Sequence, residues 1–401
     1  SAAAVAKGRE IVDLAGMTNA SVVVEDILEA RERYAAGSFD YVIVHGVYAW
    51  VPPFVAEAIM DLVGHVLSPR GLAMISYNAM PGGHVRQQMR EMLLMAVEGI
   101  EAFKPRMAAV RAFLERYAQP LPGDDPLQTG LRAVAKQMLE RPMHVLFHDE
   151  LGEAYHPQRL DAVVAAASTR GLRHLTDAGT NLHLSGFLPG EAPDDLDDPD
   201  GFVLRAAQLD DYWKNRFFRQ TVFVRREQPV DRLIDLSRMH RLHLANRHPR
   251  NADGSFGEGE DHYTVEDEAL ANALDAAARV YPQRVAIADI ARTPDQLATL
   301  LRLFNDWCVT LHPGPAPFAA RPGARPTSSP LVRGMLKAGR RFICTLNHTF
   351  LKIEQPEVIA LLLAADGTRT LDEVARAGHG IPPQQVEAAL TMAASKALLL
   401  A

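Results

Sequence analysis

The chain has 401 residues, 48% of them hydrophobic and 23% charged, and a formal net charge of -7. That length exceeds what one hydrophobic core spans, so several units of ordinary domain size are expected, and the apolar share excludes an intrinsically disordered chain. The acidic balance argues against a general affinity for nucleic-acid backbones, and the two cysteines, Cys308 and Cys344, give no sign of a disulfide framework or zinc site and fit a reducing cytoplasm.

Ser1 opens directly onto an Ala-rich helix over 1–16, not onto a basic-then-apolar export signal. No apolar run reaches the ~20 residues of a membrane span, so a soluble cytoplasmic protein is expected. The opening reads as the first turns of a helix whose preceding strand is missing, which predicts a chain that begins inside a domain. The β-branched run at 21–25 predicts a short buried strand, followed by a helix over 27–36 that closes at Gly37. A strand at 41–44, a helix over 53–67 with Pro at its start, a Ser-Pro-Arg-Gly turn and a strand at 72–77 follow. Three strand–helix cycles predict a parallel sheet with helices on its faces.

From 85 to 140 the spacing turns helical, with Met89, Leu93, Ala96 and Ile100 on one stripe and Pro105, Pro120 and Pro122 interrupting it, as in an insert or cap. Residues 144–230 mix short strands and helices around an acidic run at 190–201, read as a solvated loop because its carboxylates lack calcium-loop spacing. Two later stretches, 266–311 and 356–401, share a layout: a helix, a turn with a short extended piece (284–290 and 368–371), a second helix and an apolar end. Six prolines between 313 and 330 suggest a linker between them. Small winged-helix-like units are expected, and because 382–398 holds one Lys and one Glu, a packing or protein-contact role is favoured over DNA binding.

In an open α/β sheet ligands bind beyond the carboxyl ends of the strands. The first such end supplies Asp26 and Ile27, where a carboxylate could accept from an adenine amine and the next amide meet a ring nitrogen; an ordinary helix N-cap is the alternative. The second runs from Phe39 through His45, Gly46, Val47, Tyr48 and Trp50 to Pro52, placing ring faces where a sulfonium or amine could lie, or where the rings merely pack. The third offers Ser76, Tyr77 and Asn78, then a Pro-Gly-Gly turn and His84. There Tyr77, Asn78 and His84 could orient a nucleophile or accept its proton, or serve as turn and capping residues.

Together these segments resemble bacterial class I S-adenosylmethionine (SAM)-dependent methyltransferases that carry a methyltransferase regulatory domain, among them protein-lysine methyltransferases acting on outer-membrane proteins. Phe39 to Pro52 carries the strongest likeness, with Ser76-Tyr77-Asn78 and its Pro-Gly-Gly-His, Leu146 to Glu150, and Tyr212 to Thr221 in support. The resemblance covers nearly the whole chain, but the family's first strand, glycine turn and second strand have no counterpart here.

The resemblance implies a Rossmann-like α/β methyltransferase sheet lacking its N-terminal part over 1–95, and a helical insert with a mixed α+β regulatory region over 96–230. Winged-helix-like units follow at 231–312 and 331–401, joined by the linker at 313–330. It places Asp26 and Ile27 at the adenine, His45 and Gly46 near the methionine moiety, and Tyr48 and Trp50 near the reacting centre; the strand-end reading adds Val47 to the SAM contacts and Tyr77, Asn78 and His84 to the reacting centre. The expected acceptor is a protein side chain, a lysine amine foremost. A small-molecule acceptor with the extension forming a homodimer, and a non-catalytic scaffold, remain open alternatives. A metal reading of His144, His148, Glu150, Glu153 and His156 lacks the His-Glu-x-x-His order, and structural histidines are the simpler account.

Overall fold

The computed structural model describes residues 1–179, 186–187, 197–259, 262–378 and 382–401. Contacts divide them into two units, Glu25–Ile234 and Ser1–Val24 with Asp235–Ala401. Most of the acidic run at 190–201 lies outside the described residues; of its described end, Asp198 caps a helix and Asp200 pairs with Arg173 and Arg232.

In the unit Glu25–Ile234 the elements in order are α2 (Ile27–Arg33), β1 (Phe39–Val44), α3 (Pro53–Val66) and β2 (Leu67–Asn78). Then come α4 (Gly83–Ala96), α5 (Phe103–Tyr117), α6 (Pro126–Leu139), α7 (Met143–Glu150) and α8 (Leu160–Ser168). β3 (Leu172–Asp177), α9 (Pro199–Trp213) and β4 (Phe218–Arg225) complete it. The four strands form one sheet in the order β1-β2-β4-β3, with β1 and β2 parallel and β4 antiparallel to both of its neighbours. Three strands therefore run one way around a single inverted one, and the middle region of the chain supplies half the sheet.

Strand alternation sets which residues reach the core. Ala73, Ile75 and Tyr77 of β2 and Phe223 of β4 are buried against Ile59, Met60 and Val63 of α3 and Val163 and Ala167 of α8, with Val42 and Val44 of β1 beside them. Each large apolar side chain buried this way contributes about 1.5–3 kcal/mol. A second core joins α4 to α7 through Met89, Leu93, Val97, Met107, Val110, Leu114, Leu131 and Leu146. The stripe read from the sequence thus forms at Met89 and Leu93 and closes on Val97, because α4 ends at Ala96.

The sheet departs from the expected one at its first strand. Residues 20–26 have no regular secondary structure, and Val23 and Val24 are exposed. The segment is held instead by the helix before it: the Arg9 Nε donates to the Val22 carbonyl across 2.8 Å, and the Val22 side chain sits over Gly8. A β-branched run becomes a strand only if a neighbouring strand takes its hydrogen bonds.

The unit formed by Ser1–Val24 and Asp235–Ala401 contains α1 (Ala2–Leu14), which packs on α13 (Pro330–Lys337), with an Arg340–Glu10 ion pair at 2.8 Å alongside. Residues 1–14 therefore lie with the C-terminal region, not with the sheet. A three-stranded antiparallel sheet, β6 (Val285–Ala286), β5 (His243–Asn246) and β7 (Val309–His312) in that order, accompanies α10 (Glu268–Arg279), α11 (Ile287–Ile290) and α12 (Pro294–Asn305). Beyond α13, the hairpin of β8 (Phe342–Cys344) and β9 (Phe350–Lys352) precedes α14 (Pro356–Ala364), α15 (Leu371–Ala377) and α16 (Pro383–Ser395).

The extended piece expected at 368–371 is absent; Thr370 and Glu373 form a capping box that starts α15. The proline-rich stretch 313–330 does not hang free. Phe318 and Ser328 are buried, and Ala319, Ser329 and Leu400 exchange backbone hydrogen bonds with Leu399, Leu398 and Thr327. No helix among the described residues is long and apolar enough to cross a membrane.

Candidate functional site

The parallel strands β1 and β2 end side by side, so the loops that follow them form two lips of one mouth. The first lip turns at Gly46, whose φ of 70° suits glycine. Its amide donates to the Ser76 hydroxyl of β2 across 2.8 Å, and the Trp50 amide closes the turn on the Val47 carbonyl. His45, Gly46 and Val47 are exposed, and a Cβ on Gly46 would meet nothing within 4 Å, so the space above this turn is open. The His45 ring sets its edge against Phe218 at 6.0 Å.

Tyr48 and Ala49 fold back into the sheet core, where the Tyr48 ring lies 6.3 Å from that of Tyr77. The Tyr77 hydroxyl is buried and shares a 2.9 Å hydrogen bond with Thr221 Oγ1; burial raises its pKa well above the ordinary phenol value. Behind it, Arg219 is nearly buried and held by both oxygens of Asp211 at 2.8 and 3.0 Å and by Asp177 at 3.0 Å. Asn78 is buried at the end of β2, and His84 is exposed in the first turn of α4. Asp26 caps α2 by accepting from the Leu28 amide at 3.0 Å, while Ile27 packs on the core that holds Tyr48.

The second lip is crowded by backbone. A Cβ on Gly82 would come within 2.5 Å of the Asn215 carbonyl, and one on Gly83 within 2.5 Å of Pro157. The glycine pair thus admits two other segments of this chain. One of them, residues 155–158, is bonded to both lips: the His156 amide donates to the Ala49 carbonyl at 2.8 Å, the Gln158 amide to that of Asn78 at 2.8 Å, and the Met80 amide returns to Gln158 at 2.9 Å.

Trp50 is half-buried, its ring 5.0 Å from that of Tyr155. The Arg86 guanidinium lies 4.9 Å from the Trp50 ring centre and 5.8 Å from that of Tyr155, and Arg90 lies 5.4 and 4.9 Å from the same two. The cations on the Trp50 ring are therefore the protein's own. Arg86 is neutralised by Glu150, fully buried, at 2.8 and 3.3 Å, and Arg141 meets the same carboxylate at 3.1 Å. Arg90 donates to the carbonyls of Asp149 and Gly152.

Glu150 is thus committed to arginines, and among the described residues no group of three or more His, Cys, Asp or Glu side chains could hold a metal ion. The fold brings His45 to Trp50 and Tyr77 to His84 to one mouth. Sequence reasoning missed Arg86, Arg90, Tyr155 and the segment 155–158; the four-residue spacing of two arginines on one helix was the available signal.

Residues 142–225 match the family model described as a predicted methyltransferase regulatory domain, as the resemblance implied. Over 200 residues the chain is 30% identical to the uncharacterized protein RP789 of Rickettsia prowazekii (strain Madrid E), a match covering 50% of this chain and 36% of that protein. Over 147 residues it is 30% identical to the uncharacterized protein RP028 of the same organism, covering 36% of this chain and 58% of that one. The chain thus spans roughly a third to three fifths of these relatives' lengths. Among solved structures, PKMT2 from Rickettsia typhi aligns over 100% of this chain and 88% of its own, with a TM-score of 0.79 at 19% identity. The same protein in complex with AdoHcy aligns over the same shares with a TM-score of 0.75 at 18% identity. At these identities the likeness establishes a shared fold.

Proposed function

We propose that this chain belongs to a class I SAM-dependent methyltransferase that transfers a methyl group to a protein side chain, a lysine amine foremost. The observation that carries the reading is the open turn at Gly46, tied to Ser76 at the mouth of two parallel strands, in a fold shared with a protein crystallised with AdoHcy. Exposed His45, Gly46 and Val47 fit a ligand lying across that turn, and Asp26 and Ile27 would meet the adenine. When bound, SAM supplies an electrophilic methyl group, and transfer to an amine is a direct in-line displacement.

The protein's part is alignment, exclusion of water and removal of the amine proton. Tyr77, with its phenol held neutral and bonded to Thr221, and the buried Asn78 would shape the floor of the site. His84, exposed at the second lip, is the group we assign to take the proton. Tyr48 and Trp50 would form the wall near the reacting centre. The C-terminal winged-helix-like units are assigned to selection of the acceptor protein.

The test is calorimetric titration of SAM into the protein expressed from the complete gene, with Asp26→Ser as control. Serine keeps the helix cap but removes the carboxylate. Micromolar binding weakened in the variant supports the cofactor site; no binding by the folded protein sinks the enzyme reading.

A further inference from the structure

Three features of the segment after α7 have no role in the reading above. Tyr155 gives its ring to Trp50 at 5.0 Å, yet its own hydroxyl is buried without a hydrogen-bond partner. A buried, unpartnered hydroxyl costs about 1–3 kcal/mol, so the hydroxyl contributes nothing to the contact and the ring carries it. Arg86 and Arg90, one turn apart on α4, each lie over both rings and bind the end of α7 through Glu150 and the carbonyls of Asp149 and Gly152. Immediately after Tyr155, the chain makes backbone bonds to Ala49 in the first lip and to Asn78 and Met80 in the second.

Trp50 is thus held from two sides by groups that belong to, or are anchored in, the region matching the regulatory-domain family, 142–225. A first lip attached only through Gly46 and Ser76 would be fixed at one end; the tilted Trp50–Tyr155 ring pair fixes the other. A tilted aromatic pair such as Trp50 and Tyr155, with ring planes 50° apart, contributes about 0.5–1.5 kcal/mol beyond burial, and partly desolvated guanidinium–ring contacts add about 1–2 kcal/mol.

We propose that Tyr155 is a positioning residue: its ring, clamped with Trp50 beneath Arg86 and Arg90, sets the first lip so that the regulatory region governs alignment of the methyl acceptor at this mouth. The proposal rests on the methyl-transfer reading. It assigns the junction 150–158 as the place where the regulatory region acts on the site, through Trp50 and not through the cofactor contacts at Gly46.

The experiment uses Tyr155→Leu and Tyr155→Phe in the full chain, in a Trp213→Phe/Trp307→Phe background. Both replaced tryptophans are exposed, and their removal leaves Trp50 as the one tryptophan of this chain, selected by excitation at the red edge where tyrosine does not absorb. The first readout is Trp50 emission and its quenching by acrylamide, which needs no turnover. The second is release of S-adenosylhomocysteine with SAM and poly-L-lysine as the acceptor probe.

Tyr155→Leu is expected to red-shift Trp50, raise its quenching and lower kcat by about tenfold to a hundredfold, the scale of a misplaced reacting group, with KM for SAM unchanged. Tyr155→Phe restores both readouts, because the ring and not the hydroxyl is used. Unchanged Trp50 quenching in Tyr155→Leu overturns the proposal, as does an exposed Trp50 with unaltered kcat. Turnover absent from the parent protein overturns the methyl-transfer reading and this proposal together, whereas turnover that survives Tyr155→Leu overturns the proposal alone.

Discussion

The amide of Gly46 donates to the hydroxyl of Ser76 across 2.8 Å, joining the turn after β1 to the last residues of β2. Ser76 is fully buried, so no water replaces it easily when the hydroxyl is removed. Ser76→Ala is expected to cost about 1 kcal/mol, the ordinary worth of such a bond, and to weaken SAM binding. A lowered urea midpoint together with a raised dissociation constant checks both; an unchanged affinity separates the turn from the cofactor site.

Tyr77 and His84 stand at opposite extremes of exposure at the same mouth, and they should behave oppositely. Tyr77→Phe removes a buried hydrogen bond to Thr221 but no titrating group, since burial keeps the phenol protonated throughout the working range. Its expected signature is about 1 kcal/mol of lost stability with an unaltered pH–rate profile. His84→Gln should leave stability within about 0.5 kcal/mol, as for other surface changes, and lower kcat by about a hundredfold or more if His84 is the base.

The buried pair behind Tyr77 is a stability element. Asp211 is fully buried and bonds Arg219, itself nearly buried, through both oxygens, and it also meets Arg216 at 2.8 Å. Asp211→Ala leaves Arg219 with Asp177 as its remaining carboxylate, so loss of about 2–3 kcal/mol is expected, less than the roughly 3–5 kcal/mol of a buried charge left with no partner. Chemical denaturation measures this loss, and a cost below about 1 kcal/mol, typical of an exposed pair, would contradict the assigned burial.

His174 on β3 gives the molecule an acid-sensitive point. Both ring nitrogens are buried without partners; burial first, then Arg232 and Arg219, lower its pKa from 6.5 to about 3. The unfolded chain therefore binds a proton that the folded chain refuses, so this contribution to stability is whole above pH 6.5 and is lost as pH falls toward about 3. Between pH 7.5 and 5.5 the loss should be about 1 kcal/mol. Urea unfolding of His174→Phe at the two pH values should show a smaller difference than the parent.

Much of the sheet was legible because alternation and turn residues are local. The strand expected at 41–44 lies within Phe39–Val44, that at 72–77 within Leu67–Asn78, and the helix at 53–67 matches Pro53–Val66 to a residue. The run at 21–25 failed because apolar β-branched residues do not say whether a partner strand exists, and here Arg9 and Gly8 of α1 take the segment. The mouth residues His45 to Trp50 and Tyr77 to His84 were legible from their position after strands. The clamp on Trp50 was not: Glu150 stood among histidines as a metal candidate, and only folding brings Arg86 and Arg141 to it. Backbone bonds such as Gln158 to Asn78 leave no side-chain signature at all.

Because one short peptide is bonded to both lips, the mouth has no way to loosen by halves. Freeing Ala49 from His156 tugs the same peptide that Gln158 holds against Asn78 and Met80. The amide protons of Met80, His156 and Gln158, nearly eighty residues apart in sequence, should then exchange with solvent with one common opening free energy, as members of a single cooperative opening unit.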